Sequence, residues 1–144
     1  MRRRDEQGTI LLLTIGLSVV LLLLVAVVVD VSKVVLAKRA LSAAADGAAV
    51  AAAQQADRAS IVDNGLGDRV PLDPAGVEDV VAQYQDESRG EQPGLELTGD
   101  VDPADPGTAV VQARRVVSLS FVGWLGVATV ELRATARAQS PVLP

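Results

Sequence analysis

Asp100, Asp102 and Asp105 lie close enough in sequence to suggest a hard cation, because carboxylate oxygens are the ligands Ca²⁺ takes. The spacing does not carry that chemistry. An EF-hand loop needs Gly at its sixth position and Glu at its twelfth; this segment has neither, and Pro103 and Pro106 interrupt it. It reads as a solvated turn. A Ser-Lys dyad would have to use Lys33 or Lys38, the only two lysines, and both lie just after a long apolar run. The chain has no histidine and no cysteine, which removes thiolate and imidazole metal sites, disulfides, and Cys-His or Ser-His-Asp catalysis. No Gly-rich loop has the spacing that cradles phosphate. The remaining carboxylates cluster in Pro/Gly-rich segments, where water surrounds them. No catalytic, cofactor-binding or metal-ligating residue is assigned, and an enzyme is not expected.

Charge and hydropathy are distributed unevenly along the 144 residues, whose net charge is −5. Residues 57–105 hold thirteen acids and three arginines, whereas residues 106–144 hold four arginines and Glu131. Such an acidic chain is poorly suited to nucleic acid phosphates. The apolar content is concentrated at the other end. From Thr9 to Val29 the run TILLLTIGLSVVLLLLVAVVV has 21 residues and no charge. At ~1.5 Å per residue a helix of that length crosses about 30 Å of hydrocarbon. Thr14 and Ser18 can bond back to helix carbonyls, so neither prevents insertion. A secretory signal has a shorter apolar core, and nothing else in the chain could bury such a helix as a core element. Three arginines precede the run, and Lys33, Lys38 and Arg39 follow it. The compact Arg cluster favours a cytoplasmic N-terminus.

The helical pattern continues beyond the apolar run. After Val29 no Gly occurs before Gly47 and no Pro before Pro71, and the intervening residues are rich in Ala, the best helix former. One helix is predicted from about Thr9 to about Ala59, with Asp30 and Lys33 pairing across one turn at the membrane edge and Gly47 marking a bend. Ala40, Ala44, Ala48, Ala52 and Ala56 recur every four residues, and Ala45, Ala49 and Ala53 form the adjacent row. A ridge of this kind lets another backbone approach closely, so it is predicted to be a helix-packing face.

The Arg-rich start, DEQGT, the apolar run closing at Asp30, the Lys38-Arg39 pair and LSAAADGAAVAAAQ occur in a distinctive order. That order resembles the N-terminal region of TadE/TadG-like proteins of the tight-adherence (Flp) pilus system, over residues 4–55. The resemblance implies a pilin-like or pseudopilin-like protein of a bacterial cell membrane, N-terminus inside and globular part outside. Its implied partners are other pilus or secretion components, pilin-like subunits, or further copies of itself. Processing between Gly8 and Thr9 would follow from a type IV pilin-like pattern. There, Glu stands five residues after the cleaved Gly; here that position is Leu13, which fits a permanent anchor better.

The rest of the chain is read in two parts. Residues 60–107 form an acidic Pro/Gly-rich region with one short helix, capped by Asp73, started by Pro74 and carrying Val77, Val80, Val81 and Tyr84 on one face. Leu95–Thr98 is a candidate strand and the remainder is expected to be open loop. Residues 108–140 alternate with period two on either side of Gly123-Trp124-Leu125-Gly126, which predicts an antiparallel hairpin with one wet face. Ala134, Ala136 and Ala138 would let the Ala-rich helix lie close. The FVGWLG and VELRATARAQ segments also resemble the C-terminal strand pair of TadE-like proteins. Trp124 is expected to plug the end of the small core, and Arg114-Arg115 to be a solvated pair at a strand edge.

The predicted architecture is therefore α+β: residues 1–8 a basic and polar N-terminus, 9–29 a membrane span, 30–59 an Ala-rich extension, then the acidic region and the hairpin. Two functions fit it. One is a non-enzymatic membrane component of a Flp-type pilus or secretion machine that packs partner helices on its Ala face. The other is a bitopic anchor whose external domain binds a ligand unrelated to pili.

Overall fold

In a computed structural model the structure describes residues 2–64, 71–121, 123, 126 and 128–139, with side chains described from 8 to 54 in the first stretch. Trp124, the expected core plug, lies outside the described residues, as does the side chain of Ala56. The element order is α1 (Arg2–Asn64), α2 (Pro74–Ser88), β1 (Leu95–Asp102), β2 (Asp105–Ser118) and β3 (Thr129–Gln139). The chain divides into two compact units. One holds the residues up to Val35 with Ser118–Val130, the other Leu36–Val117 with the residues from Glu131 on.

The second unit is an α+β fold, with a long helix and a small antiparallel sheet in the order β1-β2-β3. The expected hairpin is β2 and β3, and the expected strand at Leu95–Thr98 is β1, which extends to Asp102. Asp100 and Asp102 belong to β1 and Asp105 opens β2, so this stretch is a strand pair and not an open loop. The aspartates themselves shape the connection: Asp102 accepts from the amide of Ala104 at 2.9 Å, and Asp105 accepts from the amide of Gly107 at 3.1 Å and the Thr108 hydroxyl at 2.9 Å. Short acceptor side chains of this kind fold the backbone back on itself. Asp102 also pairs with Arg137 at 3.6 Å.

Register puts Leu97 opposite Ala113, Gly99 opposite Val111 and Val101 opposite Ala109, so one face of the sheet is apolar and small. Helix α2 begins as the sequence suggests: Asp73 accepts from the amides of Ala75 and Gly76, and Pro74 occupies the first turn. Its Val77 and Val81 are buried. They pack against β1 at Gly99, where a side chain would meet both valines. The amide of Leu72 donates to the carbonyl of Pro106 at 2.8 Å, tying the segment before α2 to the start of β2.

Helix α1 runs without interruption through Gly47. The glycine makes room for the Tyr84 ring of α2, whose Cζ would lie 3.0 Å from an added Cβ. Leu41, Ala44, Ala45, Ala48, Ala49, Ala52 and Ala53 are each 3% exposed or less, and Ala40 is partly exposed. These residues form one core with Leu72, Val77, Val81, Leu95, Ala109, Val111, Ala113, Leu132 and Ala136. Small side chains on both sides let helix and sheet backbones approach closely. Lys38 donates to the carbonyl of Arg133 in β3.

β2 ends at Ser118, and it is the central strand. Arg114 is consequently not at a sheet edge. It pairs with Glu131 of β3 at 3.1 Å, and Glu131 also accepts from Arg133. The Arg133 hydrogen bond, with Arg114 beside it, holds the Glu131 carboxyl below its ordinary value.

Candidate functional site at the end of the apolar helix

In the first unit, α1 presents a stretch long and apolar enough to cross a membrane, and none of its most apolar window is buried. Side chains from Ile10 to Val29 stand largely exposed on all sides of the helix, as they must if lipid rather than protein is to cover them. The two hydroxyls inside it are satisfied within the helix. Thr14 donates to the carbonyl of Ile10 at 2.9 Å, and Ser18 to that of Thr14 at 2.8 Å.

Asp30, the first charged residue after the run, is 2% exposed. Its carboxylate accepts from two consecutive amides of the segment that follows β2: Ser120 at 3.1 Å and Phe121 at 2.8 Å. The expected Lys33 partner is also present, at 3.8 Å, but it is the outer member of the cluster. Lys33 donates to the Ser120 hydroxyl at 2.8 Å and stands 5.7 Å from the centre of the Phe121 ring. Two amide donors and a cation meet the cost of burying the carboxylate. One more backbone bond, from Leu119 to the carbonyl of Ala128 at 2.9 Å, closes the base of the loop. Beside the clamp, Leu119 and Val27, Val31, Val34 and Val35 line an apolar groove of about 170 Å³ that has Asp30 at its edge.

With each oxygen engaged by a backbone amide, Asp30 is arranged to hold a loop. The periodicity of α1 gives no hint of these partners, because they lie 90 and 91 residues away in sequence. The available signal was chemical: an aspartate ending an apolar helix needs donors, and one lysine a turn away supplies a single charge.

The other predicted residues sit elsewhere. Of the Ala rows, Ala44, Ala45, Ala48, Ala49, Ala52 and Ala53 are buried within the second unit and Ala40 is partly exposed. Spacing alone cannot distinguish an intramolecular neighbour from a partner, because both need the same small side chains. Gly8 and Thr9 lie exposed in α1. Among the described residues, no three carboxylates gather as a metal-binding group.

An exposed apolar helix, long enough to cross a membrane, that continues into an Ala-rich helix on a small sheet defines an α+β protein with a candidate membrane span. Residues 8–55, a third of the chain, match the TadE/G-like Flp pilus-assembly family, so the segment that holds the apolar run, Asp30 and most of the Ala face is similar to that family. No curated protein and no solved structure matches the chain.

Proposed function

We propose that this protein is a non-enzymatic, single-pass membrane component of a Flp-type pilus assembly or secretion system. The TadE/G-like match over residues 8–55 carries this reading, and the exposed apolar length of α1 supports it. The N-terminus lies in the cytoplasm and the second unit outside the cell membrane, the orientation the N-terminal arginine cluster favours. Partners are other components of the same machine or further copies of this chain. With Ala44, Ala45, Ala48, Ala49, Ala52 and Ala53 buried, the surface offered to partner helices is the exposed apolar side of α1, including Val31, Val35, Leu36 and Val50.

The test is site-specific photocrosslinking in cells from positions 20, 24, 31 and 35, with mass spectrometry of the products. Crosslinks to pilus-assembly components or to a second copy are expected, together with loss of pilus formation on deletion of the gene. Normal piliation after deletion, with no pilus component crosslinked from any position, would overturn the proposal and favour a ligand-binding anchor. A membrane-impermeant maleimide applied to whole cells should label a cysteine placed at Glu78; protection there would reverse the orientation.

A further inference from the structure

Three features of the first unit coincide at one level of α1. The uncharged run ends at Val29, and the Asp30 carboxylate holds Ser120 and Phe121 by their amides at 3.1 and 2.8 Å. Hydrogen bonds of that length hold the backbone of Phe121 against the carboxylate of Asp30, the residue that follows the last apolar one. The Phe121 ring is nevertheless 51% exposed, with the Lys33 ammonium 5.7 Å from its centre. In water, an exposed aromatic ring beside an apolar groove is a poor arrangement. At a bilayer surface it is a favourable one, since aromatic rings collect at headgroup depth and lysine stems reach past them to the phosphates.

The hydrogen bonding points the same way. Irregular backbone is costly near hydrocarbon because its amides lose water. In this loop Asp30 supplies acceptors for the amides of Ser120 and Phe121, and Leu119 bonds Ala128. The groove lined by Val27, Val31, Val34 and Leu119 then presents an apolar wall from the loop down to the end of the run.

We propose that the Leu119–Phe121 segment is a second membrane contact, clamped by Asp30 at headgroup depth with the Phe121 ring seated among the lipids beside the span. The occupant of this surface is the bilayer itself. The inference rests on the reading of residues 9–29 as a membrane span, so its test must report on both.

The chain contains no cysteine, which makes single-cysteine labelling clean. The full chain, reconstituted in phosphatidylcholine–phosphatidylglycerol vesicles, is labelled with an environment-sensitive fluorophore at Leu21→Cys, Phe121→Cys or Glu78→Cys. It is then quenched by lipids spin-labelled at the headgroup or deep in the acyl chain. The label at 121 is expected to be blue-shifted and to lose more emission to the headgroup quencher than to the deep one. The label at 21 should show the reverse order, and that at 78 should lose none to either. Quenching at 21 with none at 121 overturns the second contact while leaving the span intact. No quenching at 21 overturns the span and the inference with it. A second variant keeps an aromatic ring in place: Phe121→Trp with Trp124→Phe gives a single tryptophan, whose emission brominated lipids should quench. An unquenched, red-shifted tryptophan there refutes the proposal independently of any attached dye.

Discussion

Gly99 lies in the middle of β1, opposite Val111, and its replacement tests how closely α2 sits on the sheet. A Cβ added at this position would stand 2.7 Å from Cγ2 of Val81, 3.1 Å from Cγ1 of Val77 and 3.2 Å from the Val77 carbonyl oxygen. Comfortable carbon–carbon contact is about 3.5–4.0 Å. Neither valine has room to rotate, since both are buried, and the carbonyl belongs to the α2 backbone. Gly99→Ala therefore sets two effects against each other. Removing glycine from a strand interior gains about 0.5–1 kcal/mol. Forcing a methyl into a packed core costs about 1–3 kcal/mol. The net expectation is a loss of about 1–2 kcal/mol.

At roughly 4–8 °C per kcal/mol for a domain of this size, the unfolding midpoint of the second unit should fall by about 5–15 °C. Protease susceptibility of the detergent-solubilised full chain, followed across temperature or urea, reads this unit without a contribution from the apolar helix. The decisive arm is Val81→Ala. Alone it should cost about 2 kcal/mol, from two lost methylene equivalents and a small cavity. Combined with Gly99→Ala, the new methyl should occupy the vacated space, so the double variant should be little worse than Val81→Ala alone. A neutral or stabilising Gly99→Ala, or strictly additive single costs, would refute the close approach of α2 to β1.

Three further outcomes follow from the same geometry. Ala48→Leu should destabilise the second unit by about 1–3 kcal/mol through overpacking, whereas Val50→Leu, at a position 47% exposed, should change it by less than about 0.5 kcal/mol; equal effects in urea melts would contradict an inward Ala face. Asp30→Ala leaves the part-buried amides of Ser120 and Phe121 without their acceptor, a loss of about 1.5–3 kcal/mol at most for each hydrogen bond to the charged group. Hydrogen exchange at those two amides should accelerate while amides of α2 are unaffected; unchanged protection at 120 and 121 would rule out the clamp. Arg133 and Arg114 hold the Glu131 carboxyl below its ordinary value of 4.5, so this group contributes stability above that pH and loses it as pH falls through its folded value. The effect is small because the pairs face water, and Glu131→Gln should flatten the acid limb of the urea midpoint plotted against pH; a limb identical to that of the unsubstituted chain would refute it.

What the sequence made legible was local. The helix through the apolar run and the Ala rows, the Asp73–Pro74 start of α2 and the small apolar face of the last strand all follow from periodicity and capping within a few residues. Hidden features depend on partners far along the chain. Asp100 and Asp102 read as loop because Pro and Asp are poor strand formers, yet pairing with Val110 and Asp105 holds them in β1. The room that Gly47 leaves for Tyr84 is invisible to helix propensity. Asp30 suggested an ion pair with Lys33, since the amides that occupy its oxygens come from a segment 90 residues on.

The Ala rows show how spacing marks a close-packing surface without naming its neighbour. A helix can approach a sheet closely only if both backbones carry small side chains. Ala109, Ala113 and Ala136 answer Ala44, Ala48 and Ala52 within one buried core. Each alanine buries little area, so the apolar stabilisation must come mainly from the larger residues among them: Leu41, Val77, Val81, Val111 and Leu132. The alanines act as a spacing rule rather than a source of energy. Enlarging one should weaken the fold itself, whereas a face reserved for a partner would tolerate enlargement in the isolated protein and fail only in assembly. Burial of these alanines within the fold is consistent with the proposed association through the apolar length of α1, which among the described residues stands exposed.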